Sequence, residues 1–548
     1  KRLESLRSER SSFINLWREL SDYHLAHRGR FLTSDRNKGH KRNTRQYNNT
    51  SRLSSRTLAS GMMAGITSPA RPWFRLGVSD PDLNDSTAVK QWMHDVEQLM
   101  YLVFSQSNIY NVLHMLYAEL GVFGTAAMGV YQDFDSVIWC KPYTVGSYFI
   151  ATNGKNQVDT FYREYERSVA QVIKEFGYEN CSTSVQQMWD NGNTEAWVKL
   201  VHVVEPNDNR DHMSPLASEM KFRSLYYEAD RQGKEDKFLR RSGTDDFPIL
   251  APRWDVAGED IYATDCPGMI TIGDTKALQL GEKRSYQAVD KMVSPPTQGP
   301  ANLVNKIKGR GLGPNDTIAT DSNGTGLKSI YDSSYRPDLN AMEMKNEKAE
   351  MRIKRGFYED LFLMLANSDR RQITAREVAE KHEEKLLMLG PVLERLHNEL
   401  LDPLIDRTFN ILQKNGVLPA PPPELADVEL NVNYVSVLAQ AQQLVAVGGI
   451  ERLGNYVSQI ATVWPEARHK FNATQSVDDY ANALGVDPRT IRGDEEVEAI
   501  QAAEQQAAAQ QAAMEQGQQL ADTAKTVSDT SLEEDNALGA VMQRAGLA

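Results

Sequence analysis

The chain has 548 residues, with 61 Lys and Arg against 74 Asp and Glu, a formal net charge of −13, 41% hydrophobic residues and 25% charged ones. That length exceeds a single hydrophobic core and predicts about three or four lobes, or cores shared with copies of the same chain. The ordinary composition excludes wholesale disorder, no apolar run approaches the ~18 residues of a spanning helix, and Lys1-Arg2-Leu3-Glu4 leads into more charge, which argues against a secretory signal.

Charge is unevenly spread. Residues 1–60 hold 14 Lys and Arg against 5 Asp and Glu, whereas residues 494–548 hold 2 against 11, so the two ends carry opposite sign and predict different partners. Taken alone, the net charge argues against tight nucleic-acid binding. Cys140, Cys181 and Cys266 are scattered in no metal spacing and read as buried, reduced thiols of a cytosolic protein.

Taken in order, Leu6, Phe13, Leu16, Trp17 and Leu20 recur at helical steps up to a break at Arg28-Gly29-Arg30. A second helix is expected from Asn49 to Gly65, then an extended Trp73-Phe74-Arg75-Leu76, then apolar-faced helices from Thr87 to Phe104 and Ile109 to Gly121. From Gly124 to Ala263 the period shifts toward two. Ala127–Tyr131, Val198–Val204, Phe222–Tyr227 and Lys237–Arg240 read as strands of antiparallel hairpins, with Asn153-Gly154 as a turn and Ser168–Phe176 as a helical insert. The fold class is α+β, mainly helical.

Asp274 reads as the N-cap of a long helix running to Val293, where Pro295-Pro296 stops it. At 100° per residue Leu278, Val289 and Met292 share one stripe, and Lys276, Lys283, Arg284 and Lys291 share the opposite one, either a solvated face or one turned to a polyanion or neighbouring subunit. Residues 294–337 are rich in Pro and Gly and read as loop. A long helix from Asn340 to Ala366, broken near Gly356, follows, then a capping box at Thr374–Glu377. A helical tract through Pro391 and Pro403 reaches Gly416, with a stiff spacer Leu418–Pro423 after it. Helices near Ser436–Val447, Ile450–Thr462 and Val477–Leu484 and an Ala/Gln/Glu tract from Asp494 to about Leu520 precede an expected disordered tail.

Catalytic and metal-binding patterns are missing. Gly324-Thr325-Gly326-Leu327-Lys328-Ser329 fails as a phosphate loop because Leu327 separates glycine from lysine, and His382-Glu383-Glu384 fails as a zinc helix because Leu386 stands where the second histidine belongs. There is no Gly-x-Ser-x-Gly elbow, and Glu495-Glu496 and Glu533-Glu534-Asp535 read as solvated charge. No cofactor, metal or enzymatic activity is expected.

The order of segments resembles the portal (head-to-tail connector) proteins of short-tailed, T7-like bacteriophages. The matching stretches are Trp73-Phe74 after the helix stop at Ser68-Pro69, Phe247-Pro248-Ile249 with Pro252-Arg253-Trp254, and Gly258-Glu259-Asp260-Ile261-Tyr262-Ala263. The helix to Val293 with Pro295-Pro296, Thr374–Val378, and Leu389-Gly390-Pro391-Val392 with Arg395-Leu396 and Glu399-Leu400 complete them. Ala263–Gly268 departs from the usual Gly-Arg-Ser/Gly-Pro-Gly, which leaves the entry to the long helix less defined.

The resemblance implies a portal fold of wing, stem, clip and crown assembling as a ring, dodecameric in that family, at one capsid vertex. Mapped onto this chain it places a wing at 1–270, a stem helix at 271–293, a clip at 294–312 and a channel loop at 313–337. The long helix and second part of the wing fall at 338–423, crown helices at 424–520 and an acidic tail at 521–548. It implies DNA-channel residues Lys276, Lys283, Arg284, Lys291, Lys328, Tyr331, Tyr335 and Arg336. It also implies adaptor-docking residues Pro295, Pro296, Gln298, Lys306, Lys308 and Arg310 in the clip. The implied partners are further copies of the chain, major capsid protein, scaffolding protein, terminase motor, tail adaptor, internal core proteins and double-stranded DNA, with no membrane. The implied location is the virion, after assembly in the host cytoplasm. A terminase-like packaging enzyme, or a helical scaffold or adaptor that never touches DNA, are the alternatives.

Overall fold

The computed structural model describes residues 1–31, 46–78, 80, 83, 86–211, 213–214, 216–229, 238–300, 304, 316–320, 328–329, 338–368, 389–425, 430–434, 452–461 and parts of 464–511. The chain divides into two compact units, the first being Lys1–Gly77, Met93–Pro421 and Leu430–Leu453, the second Val78–Trp92, Pro422–Glu429 and Gly454–Ala548.

The first unit opens with α1 (Arg2–Tyr23) and α2 (Thr50–Ile66), then β1 (Phe74–Val78), α3 (Thr87–Gln106, in this unit from Met93) and α4 (Ile109–Phe123). The expected boundaries of α2, β1, α3 and α4 fall within about two residues, whereas α1 ends at Tyr23, ahead of the break expected at Arg28. Trp73 and Phe74 form an aromatic nest: Trp73 stacks on Phe104 at 5.9 Å, Phe74 lies 4.7 Å from Tyr101, and the Tyr101 hydroxyl receives the Trp73 and Phe74 amides. Gly124 at φ +77 ends α4 in the left-handed region that favours glycine.

Two antiparallel sheets follow. β2 (Ala127–Asp133) lies between β3 (Val137–Tyr143) and β9 (Ile249–Leu250). The second runs β4 (Tyr148–Thr152), β5 (Val158–Ser168), β6 (Trp197–Pro206), β7 (Phe222–Glu228), β8 (Arg240–Thr244) in spatial order. After β5 the chain turns into α5 (Val169–Phe176), capped reciprocally by Ser168 and Gln171, and later α6 (Thr183–Asp190). Leu200 sits with α5 and α6 in a cluster including Val172, Phe176 and Val185, whereas Val201 and Val203 face Leu6 of α1. The two-residue alternation of β6 thus divides its side chains between two apolar layers. The strand expected at Lys237–Arg240 lies at Arg240–Thr244 instead, because Leu239 turns into the α5–α6 cluster before pairing begins.

β3, β4 and β5 were not singled out from the sequence. β5 reads Val-Asp-Thr-Phe-Tyr-Arg-Glu-Tyr-Glu-Arg-Ser, and its charges mask the alternation. All three cysteines are buried and free, as expected of structural thiols.

In the second unit Ser86 donates to Glu424 at 3.0 Å, a 3-10 turn covers Pro423–Leu425, and residues 454–460 are helical. The expected capping box at Thr374–Glu377, the helix near Ser436–Val447, most of Val477–Leu484 and the acidic tail lie outside the described residues. No helix among the described residues is long and apolar enough to cross a membrane.

Candidate functional site

The long helix α7 spans Pro267–Val293, seven residues longer at its start than expected. Its N-cap is Cys266 in extended backbone, with Pro267 at the first turn, where a missing N–H costs nothing. Asp274 is therefore no cap; its carboxylate pairs with Arg352 at 2.8 Å. The sequence hides the true start because Gly268, Thr271 and Gly273 are weak helix formers, held helical by packing. Tyr262, just upstream, is buried between Phe13 and Trp17 at 5.4 and 5.2 Å, and its hydroxyl receives the Ile150 amide.

A partner helix, α8 (Leu339–Gly356), runs antiparallel to α7. Thr271 opposes Gly356, Asp274 pairs with Arg352, and Gly281 and Glu282 meet Asn346. A Cβ at Gly281 or Gly356 would strike the facing side chain, so these glycines set the close crossing of the two helices. The Gln279 amide group spans back to the Tyr47 and Asn48 backbone at 2.6 and 2.7 Å, and Asn48 reaches Glu350 at 2.7 Å. All the buried residues of α7 fall in Pro267–Gln279; beyond them Tyr286, Val289, Met292 and Val293 are exposed, Val293 at 77%.

The basic stripe lies on the side of α7 away from α8. Lys276 is ion-paired to Glu19 of α1 and so is engaged within the subunit. Lys283 and Arg284 are exposed and Lys291 half-buried, and none of the three makes an ion pair among the described residues. The stripe is thus three available cations and one structural one.

After α7 the chain does not stay loop. Pro295 is exposed and Pro296 buried, and they lead into β10 (Thr297–Pro300), which pairs in parallel with β11 (Thr317–Thr320) and antiparallel with β12 (Lys328–Ser329). The register puts Gln298 opposite Ile318 on one side and Lys328 on the other, with Thr297 and Thr317 hydroxyls 3.0 Å apart. The expectation of loop across 294–337 is corrected here: Thr and Ile supply β propensity that the surrounding Pro and Gly conceal. Lys328 and Gln298, expected in different regions, are neighbours on one small sheet, both exposed. Lys306, Lys308, Arg310, Tyr331, Tyr335 and Arg336 lie outside the described residues.

The sequence also missed an internal clasp. After α9 (Glu359–Ser368), residues 389–396 are helical, His397–Leu401 form a π turn, and α10 (Asp402–Lys414) continues through Pro403 without a break. The π turn carries Glu399, which pairs with Arg253 at 2.7 Å. Arg253, 2% exposed, also donates to Asn156 and to the Asp260 and Ile261 carbonyls. The Arg253 and Glu399 positions are 146 apart, so no local pattern announces the pair. Among the described residues no cluster of His, Cys, Asp and Glu could hold a metal ion.

α7 is thus pinned at its base, exposed toward its end and followed in the chain by a three-stranded sheet. The family described as "Bacteriophage head to tail connecting protein" matches residues 1–491, and the chain belongs to it. It is 42% identical over 548 residues to the "Portal protein" of Salmonella phage epsilon15, covering 100% of this chain and 98% of that one. It is 44% identical over 540 residues to the "Probable portal protein" of Bordetella phage BPP-1, covering 97% and 95%. The resemblance read from the motifs holds, and the role is that of a structural portal protein of a bacteriophage.

Proposed function

We propose that copies of this chain, twelve by family resemblance, close into a ring at one vertex of a phage head, with double-stranded DNA passing through it during packaging and ejection. The observation that carries this reading is the outer part of α7. One face presents Lys283, Arg284 and Lys291 without an ion pair among the described residues, and the rest exposes Tyr286, Val289, Met292 and Val293, more apolar surface than a lone helix leaves uncovered. A neighbouring copy covers the apolar residues and leaves the cations toward the passage, as the stem of the ring.

A conduit must let a polyanion slide. Each neutralised phosphate adds roughly 0.9 to the log–log salt slope, so a wall of many strong contacts would hold DNA fast. A subunit of charge −13 repeated around a ring gives a mostly repulsive wall with a few weak cationic rings on it. The β10–β11–β12 sheet, with Gln298 and Lys328 exposed, serves as the clip that docks the packaging motor and then the tail adaptor. Lys328 therefore belongs with the clip rather than with the channel loop. The body around β4–β8 is the wing that meets capsid and scaffolding protein, and the second unit contributes crown helices toward internal core proteins. Assembly takes place in the host cytoplasm.

The test combines imaging with packaging. Purified protein viewed by electron microscopy should show closed rings with a central hole. The double variant Lys283→Glu/Arg284→Glu should form the same rings yet change DNA packaged or retained per head several-fold. Rings failing to form in that variant would place the stripe at a subunit interface, and a monomeric particle would refute the ring.

A further inference from the structure

β3 sends alternate side chains to its two sides: Ile138 and Cys140 are buried on one, and Trp139, Lys141 and Tyr143 share the other. On β5 Arg163, Tyr165 and Arg167 likewise share one side, the side on which Tyr165 packs with α5 and α6. The two rows meet through their rings. Arg163 sits 4.9 Å over Tyr143 and 4.5 Å over Tyr165. The Lys141 ammonium lies 6.0 Å from each of the same two rings and 5.8 Å from Trp139, and Arg167 lies 5.9 Å over Tyr165. Three cations from two strands thus gather round one tyrosine ring.

Their charge is not balanced on the spot. Among the described residues none of the three makes an ion pair. The Nε atoms of Arg163 and Arg167 are buried and donate to no protein acceptor, an arrangement that folded chains rarely keep without a reason. Burial, and then the charges of Arg163 and Arg167, push the Lys141 ammonium down to about 8, and the opposing pull of Glu175 is the smallest of these influences. The ring faces offset part of the repulsion, and a group of opposite sign would relieve the rest. The cluster can be reached: all three cations are half-buried rather than covered, and Trp139 beside them is 44% exposed.

We infer that this cluster is the docking point for an extended acidic segment of a partner protein. Charge complementarity fixes the sign of the segment. Arg163 and Arg167 stand four residues apart on one strand, about 13 Å, with Tyr165 between them, so they take two carboxylates rather than one small anion. An extended peptide carries its same-side carboxylates in steps of about 7 Å and reaches both arginines. The exposed indole of Trp139 seats an apolar side chain of the same segment. A DNA duplex fits less well: stiff over roughly 150 base pairs, it meets cations that stand out from a surface, not ones half-buried among rings.

The inference does not depend on closure of a ring or passage of DNA, so it and the ring reading can fail separately. A fluorescein-labelled deca-glutamate peptide should bind the intact protein at about 150 mM salt. Lys141→Gln/Arg167→Gln should weaken that binding about tenfold in a chain of unchanged melting temperature. In the unaltered protein, saturating peptide should protect Lys141 from acetylation, read by mass spectrometry, and leave exposed Lys283 as reactive as before. That protection needs no variant and decides the matter if the substitutions disturb the fold. Peptide binding within twofold of the parent in a folded double variant overturns the inference, as does equal acetylation of Lys141 with and without peptide. Protection of Lys141 by a short DNA duplex and not by the peptide also overturns it and assigns the cluster to nucleic acid.

Discussion

At the scale of single residues the folded chain rests on a few buried charges. Arg253 joins the strand segment after β9, the Asn156 turn, the approach to α7 and Glu399 of the π turn. A buried pair of this kind costs about 3–5 kcal/mol to break, because the surviving partner is left charged and unsolvated. Glu399→Gln or Arg253→Ala should lower chemical-denaturation stability by that order. Arg253→Lys should not rescue it, since an ammonium cannot make the forked contacts; a change under 1 kcal/mol in all three would remove the clasp from the account. His24 supplies a second residue-scale expectation. Fully buried against Ser51 and 5.5 Å from Phe357, its imidazole is pushed down to about 4 by burial. The folded state therefore resists a proton that the unfolded chain accepts near its ordinary value. Stability from this group is complete above about pH 6.5 and lost as pH falls toward 4. Buried His202 shifts in the same direction. Denaturation midpoints should fall between pH 7.5 and 5, and the fall should be smaller in His24→Gln; an unchanged slope would count against it. Arg253 stood out only as part of a motif and the roles of these residues did not, because burial and, for Arg253, a partner 146 positions away create them. The stretches that did stand out, Trp73-Phe74, Arg253-Trp254 and Tyr262, proved to be packing centres rather than contact sites.

Among elements, helices were legible because apolar residues recur at their period and Gly or Pro marks their ends. Strands were legible only where alternation was clean, as in β6. β5 was hidden by the charges within it, and β10 to β12 by the turn residues around them. The start of α7 was hidden for the converse reason, since weak helix formers were kept helical by the close approach of Val122 of α4 at Gly268 and of α8 at Gly356. Gly281→Leu should force the pair apart at a cost of about 1–3 kcal/mol, read as a lower melting temperature with the helical content of the rest retained. A neutral outcome would mean that the crossing is looser than its glycines imply. Of the basic stripe, the sequence supplied the face correctly but not the pairing of Lys276 with Glu19, which only the fold brings together.

For the molecule as a whole, 548 residues with no catalytic pattern fit the proposed ring, in which neighbouring copies would complete the surface of each lobe. In the proposed conduit the acidic balance, at first a reason to exclude nucleic acid, would limit how tightly a duplex is held while leaving room for local cationic contacts on α7.

The Arg253–Glu399 clasp also bears on when a subunit can exist during synthesis. Asn48 waits for Glu350, Ser54 for Glu359 at 2.6 Å, and Arg253 for Glu399, so each early lobe closes on a much later part of the chain. Such long-range closure delays folding until the distant segment has left the ribosome. A nascent chain shorter than about 400 residues then carries a buried arginine with no counter-ion and an α7 with no α8 beside it. Only nearly finished chains can then reach the folded state, which keeps truncated products out of whatever the subunit assembles into.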